Sequence, residues 1–283
     1  MRLAVMQGRL LPPFDGHFQS FPVNRWREEF PLAAQASLDA IEWIYDSVGE
    51  NDNPLATDAG LAEMARLREE HGIAVVSLCA DYFMEHPLLR ASPSELELRM
   101  DKLFWLLERC RLAGIQRVVL PFVDASRIEN ETEEAQVIEI LTPTLTAAEK
   151  ACVELHLETA LGPGRFGSLL ARLPHPLLKV NYDSGNSASL GFDPSAEIAA
   201  YGERIGSVHI KDRIRGGGTV PLGSGNAKIP VLLSQLFRIG YKGDFVMQIA
   251  RAEPGMELDW IRNNREIVMG QLQAAGFVPG EGR

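Results

Sequence analysis

Four polar side chains stand near the ends of short apolar runs, where an ionisable or amide group interrupts an otherwise buried pattern. They are Glu158 in ELHLET, Asp183 in KVNYDSGN, His209 in SVHIKD and Gln248 in FVMQI. Barrel enzymes carry their chemistry at the carboxyl ends of parallel strands. If these runs are four neighbouring strands of one barrel, their side chains converge on one point.

Burying two carboxylates and an imidazole together is costly unless another group compensates their charge. A divalent cation does so directly: Glu158 and Asp183 balance its charge, His209 adds a nitrogen ligand and Gln248 offers an amide oxygen. We therefore predict one divalent metal ion at these four residues. The mixed nitrogen and oxygen set suits Mn²⁺, Co²⁺, Zn²⁺ or Mg²⁺ and does not select among them.

The elements that must position these groups are eight strand-length runs rich in apolar and β-branched residues. The runs are Leu3–Gln7, Ala40–Ile44, Ala74–Ala80, Arg117–Val123, Glu154–Thr159, Leu177–Asp183, Gly206–Asp212 and Phe245–Ala250. Their mostly continuous apolar character is typical of strands buried on both faces.

Helix-like stretches with polar or proline starts and several glycine stops separate the strands. The clearest are Leu55–His71, Ser94–Ala113, Thr132–Cys152, Pro194–Ile205, Pro230–Ile239 and Glu257–Ala275. Strand followed by helix, repeated eight times, predicts an α/β protein: a single (β/α)8 TIM barrel with a parallel eight-stranded core over residues 1–283. A doubly wound open sheet is the alternative, but Gln7-Gly8-Arg9 after the first run is not a GxGxxG turn.

Charge and composition exclude several classes of protein. The chain has 28 basic and 38 acidic residues and a net charge of −10, which argues against nucleic-acid and anionic-membrane binding. No apolar window is long enough to span a membrane, and Gln7 and Arg9 interrupt the first apolar run as no signal peptide would. Three cysteines without a CxxC pair predict buried free thiols. We expect a cytoplasmic protein.

Further candidate residues lie beside the four predicted ligands. His156 shares a strand face with Glu158 one layer deeper, as Asn181 does with Asp183 and Ser207 with His209. These three residues could orient the ligands. His156 is also a candidate substrate contact, with a core histidine as the alternative reading.

The loops at the same ends of the strands supply candidate substrate contacts. Arg213 and Arg215 precede three glycines, a composition that suits a phosphate or carboxylate and also an ordinary surface loop. Glu42 ends the second strand and could bind sugar hydroxyls or form a structural ion pair. Aromatic residues around His17 in the first loop could form a lid or a subunit contact, so a homo-oligomer stays open.

The order Glu, then DSGN, then HIKD, with MQGRL and IEW near the start, resembles the xylose-isomerase-like TIM-barrel superfamily. That group contains ketose and ribulose-phosphate 3-epimerases, hydroxypyruvate isomerases and inosose dehydratases. Its metal set is Glu, Asp, His and Glu, which implies ligand roles for Glu158, Asp183 and His209. The sequence departs from the pattern at Gln248, where a glutamate is expected.

That departure bears on the mechanism that the resemblance implies. In the family's epimerases two glutamates are implied to move a proton between opposite faces of the substrate, and an amide cannot do this. Of the ketose-epimerase substrate positions, Arg215 matches, Asn186 stands where a histidine is expected, and Gly164 replaces a glutamate. Glu158 stays competent for a one-base proton shift or an elimination.

We therefore expect a metal-dependent isomerase or epimerase of a small sugar or sugar phosphate. It would chelate an α-hydroxy-ketone or an aldose and form an enediolate, with Glu158 as base and Lys211 as electrostatic group or acid. Alternatives are a dehydratase of a keto-polyol of the inosose type and a degenerate, non-catalytic sugar-binding barrel. A nuclease of the same ancestry would need a multi-zinc cluster with many histidines and a positive surface for DNA. It is disfavoured because at most two of the six histidines, His209 and His156, lie on strands at the mouth, and because the chain is acidic.

Overall fold

Eight parallel strands close on themselves in the computed structural model, which confirms the predicted α/β TIM barrel. Residues 1–278 are described, so residues 279–283 of the predicted domain lie outside this description. The barrel strands are β1 (Leu3–Met6), β2 (Ala40–Ile44), β3 (Ala74–Cys79), β4 (Arg117–Phe122), β5 (Glu154–Thr159), β6 (Leu178–Asp183), β7 (Ile205–Ile210) and β10 (Asp244–Met247). Around the barrel they follow the order β1-β10-β7-β6-β5-β4-β3-β2. A separate antiparallel hairpin consists of β8 (Asp212–Arg213) and β9 (Thr219–Val220).

Helices pack around the barrel. They are α1 (Glu29–Gln35), α2 (Asp58–His71), α3 (Tyr82–Glu85), α4 (Pro93–Ala113), α5 (Glu131–Ala151), α6 (Pro163–Arg172), α7 (Ser184–Leu190), α8 (Pro194–Tyr201), α9 (Ile229–Arg238) and α10 (Glu257–Ala275). Among residues 1–278, no helix has both the length and the apolar character needed to cross a bilayer.

Local signals explain where the long helices begin and end. Ser92 and Glu95 form reciprocal hydrogen bonds at the start of α4, which satisfy backbone N–H groups that have no helical partner. Gly114 ends the helix with φ 69°, a left-handed conformation that glycine adopts without strain. Asn130 caps α5 by accepting the backbone N–H of Glu133.

Several predicted boundaries differ from the structure. The strand expected over Gly206–Asp212 is β7, Ile205–Ile210, because the chain turns at Lys211 into the hairpin. The helix expected over Pro194–Ile205 ends at Tyr201, and a short 3₁₀ turn leads into β7. The short helices α1, α3, α6 and α7 were not predicted. The three cysteines are free, as expected, but Cys152 is exposed because it lies in the turn that ends α5.

A buried ion pair crosses the amino-terminal end of the barrel. Arg117 of β4 donates from Nη2 to Asp244 Oδ2 of β10 at 2.7 Å, and β4 and β10 lie on opposite sides of the barrel. Arg2 donates to Asp244 from its backbone N–H at 2.7 Å and from Nη1 at 3.3 Å. The pKa of Asp244 lies below its ordinary value, because Arg117 and Arg2 outweigh the effect of burial. The pair therefore ties β1, β4 and β10 together.

We predict that Asp244→Asn lowers the free energy of unfolding at neutral pH by about 3–5 kcal/mol, because it leaves the Arg117 guanidinium buried without its counter-charge. Urea unfolding measures this change. The stabilisation from ionised Asp244 is present above the carboxyl's unfolded-state pKa and is lost as pH falls through its lower folded-state pKa. The difference in free energy of unfolding between wild type and Asp244→Asn should therefore become smaller in acid.

The matched control is Glu70→Gln, which removes a carboxylate from the exposed pair of Arg66 and Glu70. An exposed pair contributes about 0–1 kcal/mol, so this change should be small. Equal losses in the two variants would show that the cross-barrel pair has no special role.

Candidate metal centre and active site

Three predicted ligands come together at the carboxyl-terminal mouth of the barrel. Glu158, Asp183 and His209 end neighbouring strands β5, β6 and β7, and one ligand atom from each lies within 4.8 Å of the others. His209 Nδ1 is 3.5 Å from Glu158 Oε2 and 3.9 Å from Asp183 Oδ2. All three residues are buried.

Glu42 fixes the orientation of the His209 ring. His209 Nε2 lies 2.6 Å from Glu42 Oε1, and both side chains are fully buried. A hydrogen on Nε2 therefore points to Glu42, while Nδ1 faces the two carboxylates and has no hydrogen-bond partner within residues 1–278. Burial alone would lower the pKa of His209, but Glu42 and Asp183 raise it to about 10. Glu42 thus forms an ion pair, one of the two roles expected for it, and its contact with sugar hydroxyls stays a prediction.

Amide groups hold the two carboxylates in place. Glu158 accepts from Asn186 Nδ2 at 2.6 Å and from Asn181 Nδ2 at 2.7 Å, one bond to each oxygen. Asp183 Oδ1 accepts the backbone N–H of Asn186 at 2.8 Å, which leaves Oδ2 towards His209. Burial and the charge of Asp183 raise the pKa of Glu158 to about 7. Burial opposes ionisation of Asp183, but Lys211 and His209 outweigh it and lower its pKa.

This donor set fits a divalent cation. Ions of this kind hold nitrogen and oxygen ligands at about 2.0–2.2 Å, so ligand atoms around one ion lie roughly 3–4 Å apart. The separations of 3.5 and 3.9 Å from His209 Nδ1 fall in that range. The strongest sign is that Nδ1 has no hydrogen bond among residues 1–278, since buried polar atoms are normally hydrogen-bonded or bound to an ion.

Lys211 and Gln248 meet on the remaining side of the site. Lys211 Nζ donates to Asp183 Oδ2 at 3.2 Å, to Asn186 Oδ1 at 3.3 Å and to Gln248 Oε1 at 3.2 Å. Gln248 Nε2 donates to Gln19 Oε1 at 2.9 Å. The structure thus brings both residues to the predicted place, and a ligand role for Gln248 stays a prediction.

A cavity of about 210 Å³ opens above these groups. It is smaller than the sites of about 300–1,000 Å³ that hold drug-sized ligands, so it suits a small molecule. Gln19 and Asp81 line it, and Gln19 Nε2 donates to Asp81 Oδ2 at 2.8 Å. From the sequence, the aromatic residues of this first loop could form a lid or a subunit contact, and Gln19 was missed. Phe18 is 48% exposed at the rim, whereas Phe21 is fully buried.

The remaining predicted substrate contacts lie at different distances from this cavity. Arg213 lines it and donates from Nη1 to Asn186 Oδ1 at 2.8 Å, so Arg213 and Asn186 lie where a ligand would contact them. Arg215 is exposed and packs over Gly191. His156 is fully buried one layer below, between Ser207 and Glu154. The substrate contacts expected of these residues stay predictions.

A second, larger cavity of about 970 Å³ lies at the opposite end of the barrel, next to Arg117 and Asp244. Barrel enzymes place their active sites at the carboxyl-terminal face. The smaller cavity above Glu158 is therefore the candidate active site.

The closed parallel barrel and the convergence of Glu158, Asp183 and His209 at its carboxyl-terminal mouth define the class: an α/β barrel with a possible metal-binding triad. Residues 30–266 match the family described as Xylose isomerase-like TIM barrel. The chain belongs to this family, which confirms the resemblance noted from the sequence.

One curated relative and two solved structures that resemble this chain have names that indicate sugar chemistry or metal binding. The SgbU protein of Escherichia coli K12, named provisionally as an L-ribulose-5-phosphate 3-epimerase, is 22% identical over 272 residues, covering 89% of this chain and 93% of that protein. The crystal structure of the IOLI protein with a zinc atom has a TM-score of 0.79 at 18% identity, over 98% and 100% of the two chains. That of an L-ribulose 3-epimerase has a TM-score of 0.74 at 15% identity, over 97% and 95%. The structural matches show the fold, and the comparisons together support an isomerase-type enzyme.

We predict that protein loaded with Mn²⁺ and then desalted keeps about one equivalent of the ion, the stoichiometry of a single mononuclear site. His209→Ala should lose it, because the nitrogen that faces both carboxylates is removed. Elemental analysis of both proteins measures the difference.

His175→Ala is the matched control, because His175 pairs with Glu149 away from the mouth and its loss should leave the metal content unchanged. Metal retained equally by His209→Ala and wild type would place the ion elsewhere.

Proposed function

We propose that this protein is a divalent-metal-dependent isomerase or epimerase of a sugar or sugar phosphate, acting through an enediolate. The observation that carries the proposal is the convergence of Glu158, Asp183 and His209, with His209 Nδ1 buried and without a hydrogen-bond partner among the described residues. Carboxylates and imidazole in this arrangement match the ligands that a divalent ion takes from proteins. Membership of the family and the named activities of its relatives agree with it.

Glu158 is the group that would take up the substrate proton. Its two oxygens are each held by one amide N–H, from Asn181 and Asn186, so the carboxylate cannot rotate away from the cavity that it lines. A divalent ion, when bound, would polarise adjacent substrate oxygens and stabilise the negative charge of an enediolate. Glu158 would keep the removed proton within reach of the neighbouring carbon, as a one-base shift requires.

Lys211 is the second side chain that would act on the substrate. Its ammonium lies at the mouth between Asp183 and Gln248, where it would stabilise negative charge on a substrate oxygen or give it a proton. Gln248 has no proton to exchange in this role. The residues therefore favour proton transfer on one face of the substrate over the symmetric two-glutamate scheme.

The substrate class follows from the size of the mouth and its donors. A small cavity with Asn186 and Arg213 in its wall suits the hydroxyl and carbonyl oxygens of a short sugar. Arg215 lies further out on the same loop, where the phosphate of a sugar phosphate would meet it. The name of the Escherichia coli relative makes L-ribulose and its 5-phosphate the first probes to try.

We predict that the Mn²⁺-loaded protein exchanges a carbon-bound hydrogen of a ketose for deuterium in D₂O, measured by proton NMR on L-ribulose, L-ribulose 5-phosphate, D-fructose and an inosose. Glu158→Gln should reduce exchange by about 10²–10⁴, the usual contribution of a positioned base. The amide keeps an oxygen ligand, so metal content measured on the same sample is the control. Exchange at the wild-type rate in a metal-replete variant would exclude Glu158 as the base.

We predict that Gln248→Glu adds or raises 3-epimerisation, because it restores a second group able to carry a proton and a negative charge beside Lys211. Chromatography of the same ketoses measures it, and Gln235→Glu on α9 is the control for added charge outside the cavity. Water loss from the inosose would identify the dehydratase alternative. Sugar binding without any reaction in either protein would favour the non-catalytic alternative.

A further inference from the structure

A series of buried hydrogen bonds runs along the barrel interior from its amino-terminal end to Glu158. Glu158 Oε2 accepts from Asn181 Nδ2 at 2.7 Å, and Asn181 Oδ1 accepts from Ser207 Oγ at 2.7 Å. Ser207 Oγ lies 2.7 Å from His156 Nδ1, and His156 Nε2 lies 2.9 Å from Glu154 Oε2. Asn181, Ser207 and His156 are 0–2% exposed, whereas the Glu154 side chain is 41% exposed.

The donors and acceptors allow one direction along this series. Because Asn181 gives an N–H to Glu158, its carbonyl must accept the hydroxyl hydrogen of Ser207. The Ser207 oxygen can then only accept from its other neighbour, so His156 must carry a hydrogen on Nδ1. The 2.9 Å contact between His156 Nε2 and Glu154 Oε2 needs a hydrogen of its own, in addition to the one on Nδ1.

The hydrogen on His156 Nδ1 therefore determines which way the Asn181 amide faces Glu158. If His156 carried its hydrogen on Nε2 alone, Ser207 would donate to Nδ1 and could not donate to Asn181. The Asn181 amide could then turn and set its carbonyl oxygen against the Glu158 carboxylate, where two acceptors repel. The Glu154 carboxylate by itself favours a hydrogen on Nε2, so the series requires His156 to hold a hydrogen on Nδ1 in addition, where it faces Ser207.

The amide in the middle determines what the series can do. A carboxamide does not pass a proton from its carbonyl oxygen to its nitrogen on the scale of a catalytic cycle, so the series does not conduct protons to solvent. It orients groups, as the outer partners of metal ligands do in other sites.

We infer that Glu154, His156, Ser207 and Asn181 act together as positioning residues that set the direction of the Glu158 carboxylate towards the metal position. The inference rests on the proposed function, because Glu158 is both its end point and the proposed ligand and base. No substrate contact is assigned to His156 by this reading.

Three variants of the full chain test it, with Mn²⁺ as the probe in titration calorimetry and Co²⁺ as a spectroscopic probe of ligand geometry. Ser207→Ala breaks the series and should weaken Mn²⁺ binding about tenfold and change the Co²⁺ absorption spectrum. Glu154→Gln should bind as wild type, because its amide can donate to Nε2 and keep the hydrogen on Nδ1. Thr144→Val is the control: it removes a fully buried hydroxyl that donates only within α5.

Wild-type affinity and spectrum in Ser207→Ala, in a protein that binds the metal, would overturn the inference and leave the proposed function standing. A loss in Thr144→Val equal to that in Ser207→Ala would also overturn it, because it would show a general effect of lost buried hydroxyls.

Nitrogen-15 NMR of the histidines in metal-free protein tests the direction of the series without any metal. We expect a hydrogen on His156 Nδ1, assigned with His156→Gln, and its absence would overturn the inference. Failure of wild type to bind Mn²⁺ or Co²⁺ would instead overturn the proposed function and the metal-positioning role, even with Nδ1 protonated.

Discussion

The contact between Glu42 and His209 is the constraint on which the mouth of the barrel depends. Glu42 comes from β2 and His209 from β7, and their 2.6 Å contact joins two fully buried groups across the interior. Charged groups persist there only in such a pair, because water cannot solvate them. The contact leaves one ring nitrogen for Glu158 and Asp183, so the arrangement of the whole site follows from it. It also explains why a carboxylate stands in the middle of an aromatic and aliphatic strand.

Charge balance sets this barrel apart from the pattern that its sequence resembles. Gln248 replaces a carboxylate, and the Lys211 ammonium contacts both its carboxamide oxygen and Asp183. One negative charge fewer beside a fixed positive charge lowers the attraction for a cation. It also removes one of two proton carriers from the cavity. Both effects have the same cause, a single amide, and both agree with the roles proposed for Glu158 and Lys211.

Much of this arrangement could be predicted from the sequence because parallel barrel strands end at a common face. Continuous apolar runs located the strands, and period-2 alternation placed His156 under Glu158. Partners from outside the run could not be predicted, because hydrophobic patterns carry no information on pairing across a barrel. Glu42 could therefore be read only as a contact for sugar hydroxyls or as one half of an ion pair with no named partner, and Gln19 of the irregular first loop was missed. The helices α1, α3 and α7 have only 7, 4 and 7 residues, too few for periodicity to become visible, whereas α6 was missed although its 10 residues equal those of the predicted α9.

The ion pair at the other end of the barrel has a consequence for how the chain is made. Arg117 lies on the fourth strand, and the carboxylate that compensates it lies on the last, 127 residues further along. A nascent chain that has emerged only through β7 holds a guanidinium without the carboxylate of Asp244 to which it donates in the folded barrel. An incomplete barrel is therefore expected to be unstable during synthesis. The addition of β10 both closes the ring of hydrogen-bonded strands and supplies the Asp244 carboxylate, in one late step that depends on long-range contacts. Until β10 is available, the open barrel exposes unpaired strand edges, and such edges favour aggregation.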